Sequence, residues 1–306
     1  MIYDASVIIP AYNAEETLTE QLEAPASQET TVRFEVLVCD NGSSDSTPEV
    51  TAAFSPQFGG LRLIDASSRR GASAARNIGA AAARSPHLLF CDADDVVSAG
   101  WVSAMHHALL EAPFAVGAVE HSLLNRGRDW DFGWNEPTFY NEALPQLPAG
   151  GSGNMGIHAE VFAEVGGFEE SLSAGEDLDF SWRVQLAGYN LLGVPEAIVH
   201  VRKRDGLLAS LRQAYAKGSG TRLLSQRYSR VREAYAHAPL GPSLPETVGG
   251  AEPAPSRRRR IQRKVMRIAR RPSEVIPHAA ALAHRLGYSR AQTGAVAQLT
   301  PPETLP

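Results

Sequence analysis

The sequence predicts an α/β protein, in which a mostly parallel sheet is flanked by helices and followed by a helical C-terminal extension. Three observations predict it. Short apolar runs of strand length alternate with helical segments over residues 6–91, polar residues collect just beyond the ends of those runs, and a Pro/Gly/Ala-rich stretch from residue 239 separates this body from a basic tail. At 306 residues, 43% hydrophobic and 21% charged, the chain can bury one large α/β core or two modest domains.

Each element has its own warrant. Ser6 to Ile9, Phe34 to Cys39, Leu61 to Ile64 and His87 to Cys91 are apolar and rich in β-branched or aromatic residues, and read as buried strands. Between them Glu15 to Leu22, Ser46 to Phe54 and Ala72 to Ala83 read as helices, with Pro48 tolerated in a first turn. Further on, Ser173 to Asp177 opens a helix in which Leu178, Trp182 and Leu186 recur every four residues as one buried stripe ending near Gly188. Leu191 to Val199 is the last strand of the core, closed by His200. In such a fold, ligand binds beyond the carboxyl ends of the strands. Pro10-Ala11-Tyr12-Asn13, Asp40 to Asp45 and Asp92 to Asp95 all fall there.

The stretch Leu88-Leu89-Phe90-Cys91-Asp92-Ala93-Asp94-Asp95 carries the most chemistry, because a strand ends in three carboxylates within four positions. Crowding that much negative charge is unfavourable unless a cation compensates it. Oxygen-only ligands suit a hard divalent ion, Mn²⁺ or Mg²⁺, which bridges readily to phosphates. A solvated, helix-capping Asp loop is the competing explanation for such a motif taken alone. Two other nucleotide-binding classes are excluded: no Gly-x-Gly-x-x-Gly turn follows the first strand, and no Gly-Lys-Ser/Thr loop is present.

Taken in order, Val7 to Asn13, Val36 to Asp45, Ala75-Arg76-Asn77-Ile78-Gly79, Asp92 to Asp95, Gly166-Gly167-Phe168-Glu169-Glu170 and Gly175-Glu176-Asp177 resemble the motif set of family 2 glycosyltransferases, with spacing intact from residue 6 to about 218. The resemblance implies a GT-A, Rossmann-like fold and an inverting transfer of sugar from a nucleoside diphosphate (UDP, GDP or dTDP) to an acceptor hydroxyl. It assigns the nucleobase to the loop Pro10, Ala11, Tyr12 and Asn13, with Ala11 acting through its backbone, and to Asp40 and Asn41; many relatives carry a second Asp where this chain has Asn41. It places Asp92, beside Ala93, on the ribose side, gives the metal to Asp94 with Asp95, and makes His200 a further ligand. Arg76, with Asn77 beside it, either faces the diphosphate or pins the acidic loop. Asp177 becomes the general base, and Glu176 orients or binds acceptor. Basic residues leading to Lys217 approach the diphosphate or form a solvated helix face. The alternatives in other classes are a GT-A-like nucleotidyltransferase, which would show a Gly-rich basic triphosphate loop near the first strand, and a non-catalytic sugar-nucleotide binder, which would have lost Asp94 or Asp177.

The resulting organisation is a nucleotide-sugar half over residues 1–98, an acceptor and catalytic half over 99–238, a linker over 239–256 and a basic helical tail over 257–306. Residues 121–153 are irregular. Trp130, Phe132 and Trp134 there either stack on pyranose faces or form a satellite cluster, Gly150 to Gly153 suggest a mobile lid or acceptor loop, and Asn154 fixes local backbone or a sugar hydroxyl. The net charge of −5 hides an asymmetry: eight Arg and Lys264 between Arg257 and Arg271 meet no acid, whereas residues 1–256 hold 18 basic and 32 acidic residues. Ile261, Val265 and Ile268 give that run an apolar face suited to an anionic membrane, with docking on the acidic body as the competing use. Without interleaved aromatics or a reader module, nucleic acid is not an expected partner. No apolar stretch approaches ~18 residues and no secretory pattern opens the chain, so the expected location is cytoplasmic, with peripheral attachment to the inner face of the membrane. Cys39 and Cys91 are expected to be reduced and structural.

Overall fold

The computed structural model describes residues 3–55, 58–125, 135–203, 207–237, 272–292 and 297–306. The expected linker and basic run, and the aromatic cluster at 130–134, lie outside these residues. The chain divides into two compact units, residues 1–204 with 302–306, and residues 205–301.

The first unit is built on an eight-stranded sheet. Its early strands β1 (Ala5–Ala11), β2 (Phe34–Asp40), β3 (Leu61–Asp65) and β4 (His87–Cys91) alternate with helices α1 (Leu18–Ala26), α2 (Thr47–Phe54) and α3 (Ala72–Ala82). These four strands pair in parallel in the order β3-β2-β1-β4. The sheet then continues through β7 (Asn154–His158), β6 (Phe114–Glu120), β8 (Leu191–His200) and β5 (Val96–Val97), where three of the four pairings are antiparallel and β6 with β8 is parallel. The halves drawn on either side of residue 98 therefore share one sheet. Helices α4 (Trp101–Glu111), α5 (Ala159–Glu164) and α6 (Glu176–Leu186) complete this unit.

The sheet buries both faces, as its apolar strands require. Val7, Ile9, Val36, Val38 and Leu89 pack with Leu18, Leu22, Trp101 and Met105 of α1 and α4. Ile8, Leu37, Leu88 and Phe90, which alternate with them, pack with Ala75, Phe162, Phe168, Phe180 and Val184 on the opposite face. Helix α3 comes so close that a Cβ on Gly79 would lie 2.5 Å from Cys39 Sγ and 2.6 Å from Ile8 Cγ2.

Two elements differ from expectation. Helix α1 starts at Leu18 rather than Glu15, because the backbones of Asn13, Ala14 and Glu15 donate to Ser43, Thr47 and Asp45 instead of opening a helix. Helix α6 buries Phe180, Ser181 and Val184 as well as Leu178 and Trp182, while Leu186 is only half-buried. One stripe faces the sheet and the other a loop, with Trp182 Nε1 donating to Leu147 O at 3.1 Å.

The second unit contains α7 (Leu207–Arg227), α8 (Ser229–His237) and α9 (Pro272–Arg290). Two glycines let α7 and α9 touch backbone to backbone: a Cβ on Gly218 would lie 1.9 Å from His284 O, and one on Gly287 2.0 Å from Tyr215 O. No helix among the described residues is long and apolar enough to cross a membrane.

Candidate active site

The parallel register sets Ala11 beside Asp40 and Pro10 beside Cys39, so the loops after β1 and β2 leave the sheet together. They are then laced to each other. Asn13, at φ 50°, donates its N–H to Ser43 Oγ at 2.9 Å and accepts from Ser44 N–H at 2.8 Å. Asp40 Oδ1 accepts from Ser43 N–H, three residues on, at 3.1 Å. Asn41 spends its amide on the next loop, donating to Ala66 O and Arg69 O at 2.6 and 2.7 Å and accepting from Gly71 N–H at 2.8 Å. Tyr12 projects from this rim, 63% exposed.

Beyond β4, Asp92, Asp94 and Asp95 each bring a carboxylate oxygen within 4.8 Å of the others. Buried Gln21 of α1 donates to Asp92 O at 2.8 Å, and Thr17 donates to Ala93 O at 3.0 Å. From the other side Arg202 donates its backbone N–H to Asp95 Oδ1 at 2.8 Å and its Nε to Asp94 O at 3.0 Å. Gly153 leaves room for the cluster, since a Cβ there would lie 2.6 Å from Asp92 Oδ2. Burial, reinforced by the charges of Asp92 and Asp94, pushes the Asp95 carboxyl up to about 8. An oxygen-only cluster with its charge frustrated in this way fits a hard divalent cation.

His200 closes β8 opposite Val96, one residue past Asp95. Its Nδ1 lies 2.9 Å from Glu120 Oε2; burial works against the Glu120 charge, but hydrogen bonds from Ser122, His200 and Leu123 hold that carboxyl down at about 2. The ligand atoms gathered within 4.8 Å are those of the three aspartates, and His200 is not among them.

Helix α6 begins after Gly175, at φ 84°, and carries Glu176, Asp177 and Asp179 in its first turn. Asp179 is fully buried and pairs with Arg183 at 2.7 Å, and Arg183 also donates to the carbonyls of Val165 and Gly167, fixing the glycine turn. Asp177 is half-buried, with Oδ1 accepting from Leu178 N–H at 2.8 Å. The link to the acidic loop is Arg76, whose Nη2 donates to Asp92 Oδ1 at 2.5 Å and whose Nη1 stands 3.8 Å from Glu176 Oε1. Asn77 stitches α3 to the segment before α6 through Phe168 N–H, Phe168 O and Glu170, each at 2.9 Å.

The structure thus gathers Asp92, Ala93, Asp94, Asp95, Arg76 and Glu176 at one end of the sheet, next to the laced loops of Pro10 to Asn13 and Asp40. Lys217 belongs to the second unit, where it is exposed on α7. Gln21 and Glu120 were not anticipated; Gly153, expected in a Gly-rich loop, and Arg202, expected among the basic residues leading to Lys217, instead support the acidic loop. The only trace of Gln21 in the sequence is a polar residue on the apolar face of α1, beside Leu18 and Leu22. Asn154 holds backbone, donating to Ala118 O and Ala197 O and accepting from Trp101 Nε1.

The fold is that of the GT-A glycosyltransferases. The mannosyltransferase PcManGT from Pyrobaculum calidifontis, solved with GDP-Man and Mn²⁺, superposes with a TM-score of 0.63 over 95% of this chain and 88% of that one, at 19% identity. S. aureus TarS 1-349, solved with UDP-GlcNAc, gives 0.53 over 76% and 73% at 19% identity. The model of glycosyl transferase family 2 matches residues 6–166, that of glycosyl transferase family group 2 matches residues 87–248, and the chain belongs to glycosyl transferase family 2. Glycosyltransferase AglE of Haloferax volcanii is 29% identical over 223 residues, covering 70% of this chain and 72% of its own. The pre-mycofactocin glycosyltransferase of Mycobacterium tuberculosis is 28% identical over 239 residues, and there the chain spans 47% of the relative's length.

Proposed function

We propose that this glycosyltransferase is inverting, takes its sugar from a nucleoside-diphosphate donor and uses Asp177 as general base. The observation that carries the reading is that one guanidinium, Arg76, lies within reach of both carboxylate sets: 2.5 Å from Asp92 on the acidic loop and 3.8 Å from Glu176 in the turn that also holds Asp177. Ala11, Tyr12 and Asp40 receive the nucleobase. Asn41 shapes that pocket by holding residues 66–71, and the Asp92 oxygen on the Gly153 side is available to the ribose. Asp94 with Asp95 would hold Mn²⁺ or Mg²⁺, with His200 as a further ligand, and the cation would supply positive charge against the departing diphosphate. Asp177 takes the proton from the acceptor hydroxyl; the oxygen attacks the anomeric carbon as the bond to the diphosphate breaks, the diphosphate leaves with the electron pair, and the configuration inverts. Glu176 orients the acceptor.

The neighbours solved with GDP-Man and UDP-GlcNAc make both nucleotides, together with dTDP, the donors to test. Melting curves with UDP-, GDP- and dTDP-sugars, in Mn²⁺ and in chelator, should show one donor that stabilises the protein only with the metal, and Asp94→Asn should remove most of that dependence. Equal stabilisation in chelator would refute the metal role, and no stabilisation by any donor would refute the donor site. We further propose an anionic membrane surface as second partner for the nine basic residues of 257–271. Co-sedimentation with anionic but not neutral vesicles at low salt is the expected result.

A further inference from the structure

Arg76 is 2% exposed; burial works against its charge, but Asp92, Glu176 and Asp177 outweigh that and raise it above the usual guanidinium value. Yet only Nη2 is well used. Nε and Nη1 are buried without a hydrogen-bond partner, an arrangement that folded proteins avoid. An acceptor lies just out of range, since Glu176 Oε1 is 3.8 Å from Nη1 where a hydrogen bond needs about 3 Å.

The guanidinium has little freedom to close that gap itself. It is anchored on Asp92 and lies over the Phe168 ring, 5.5 Å from the centroid, while Asn77 of the same helix fixes Phe168. The other side is joined through a glycine. Helix α6 starts at Gly175 in the left-handed region, the kind of joint where a first turn can pivot without side-chain strain.

We infer that Arg76 is a positioning residue that couples the donor site to the first turn of α6. When donor nucleotide and cation engage the acidic loop, part of the Asp92 charge is drawn away from Arg76. The buried guanidinium is then left short of negative charge, and the first turn of α6 closes until Glu176 accepts from Nη1. That closure carries Asp177 into its working position, so the base is set only when donor is bound. The inference rests on the donor and base assignments proposed above.

Hydrogen–deuterium exchange on the full chain tests it without any acceptor. With Mn²⁺ and whichever of UDP, GDP or dTDP binds by calorimetry, amides of residues 176–180 should slow by about tenfold. Glu176→Ala, which leaves the Asp92 contact intact, should still bind nucleotide and lose the slowing, and Arg76→Lys, checked by its melting curve, should keep part of it. Unchanged exchange in the wild type despite measured binding, or full slowing in Glu176→Ala, would overturn the coupling. Calorimetry showing no binding of any of the three nucleotides would instead sink the donor reading on which it stands.

Discussion

The proposed roles give Asp177 the acceptor and the acidic loop the donor, and single substitutions should separate them. Asp177→Asn keeps the size and the hydrogen bond to Leu178 N–H but cannot take a proton, so transfer should fall by on the order of a thousandfold or more while nucleotide affinity stays within a few fold. Steady-state rates and calorimetry on the same preparation decide it, and substantial turnover would place the base elsewhere. These carboxylates were legible because their chemistry is concentrated in adjacent residues: Asp92 to Asp95 after a strand, Glu176 and Asp177 after a glycine. Their supports were not. Gln21 reaches Asp92 across 71 positions and Arg202 reaches Asp94 across 108, and a buried Gln or an exposed-looking Arg carries no local mark of such a partner.

Among the elements, α3 shows how tightly the site is tied to the core. It presents Arg76 and Asn77 to the site only because Gly79 lets it lie flat on β1 and β2. Gly79→Ala would place a methyl against Cys39 and Ile8 where there is no space, so it should cost about 1–3 kcal/mol in urea unfolding. An unchanged midpoint would mean that α3 shifts freely. The parallel half of the sheet was readable because each strand is an apolar run bounded by turn residues. Of the far half only β8 was readable, because β5 has two residues and β6 and β7 have sequence between them whose pairing depends on contacts far along the chain. Helix α6 similarly hides its second buried stripe, since Phe180 and Val184 look incidental until Phe114 and Phe162 pack against Phe180.

For the molecule as a whole, pH acts through the end of the sheet where β4 begins. His87 is buried there, stacked on His158 with ring centroids 4.9 Å apart and with Nδ1 3.0 Å from His106 Nδ1; burial and then the two neighbouring histidines lower it from 6.5 to about 4. Its folded value lies below its unfolded one, so the unfolded chain binds the extra proton, and the stabilisation present above about 6.5 is lost as pH falls through about 4. Asp95, raised to about 8, contributes with the opposite sign, so the informative quantity is the difference between wild type and His87→Gln. That difference should change by roughly 1–3 kcal/mol between pH 7 and 4, and a flat difference would show that His87 takes its proton in the fold as readily as in the unfolded chain. Both thiols are equally sequestered. Cys39, which burial pushes up to about 12, and Cys91, which burial and then Asp92 and Asp95 also push well up, each sit one residue before a carboxylate of the site. A thiol-specific reagent should therefore react with neither in the native protein and with both in denaturant. One cysteine introduced on the exposed face of α6 or at Tyr12 would then be the sole accessible thiol, so a dye or spin label could be attached beside the catalytic crevice without removing either native residue.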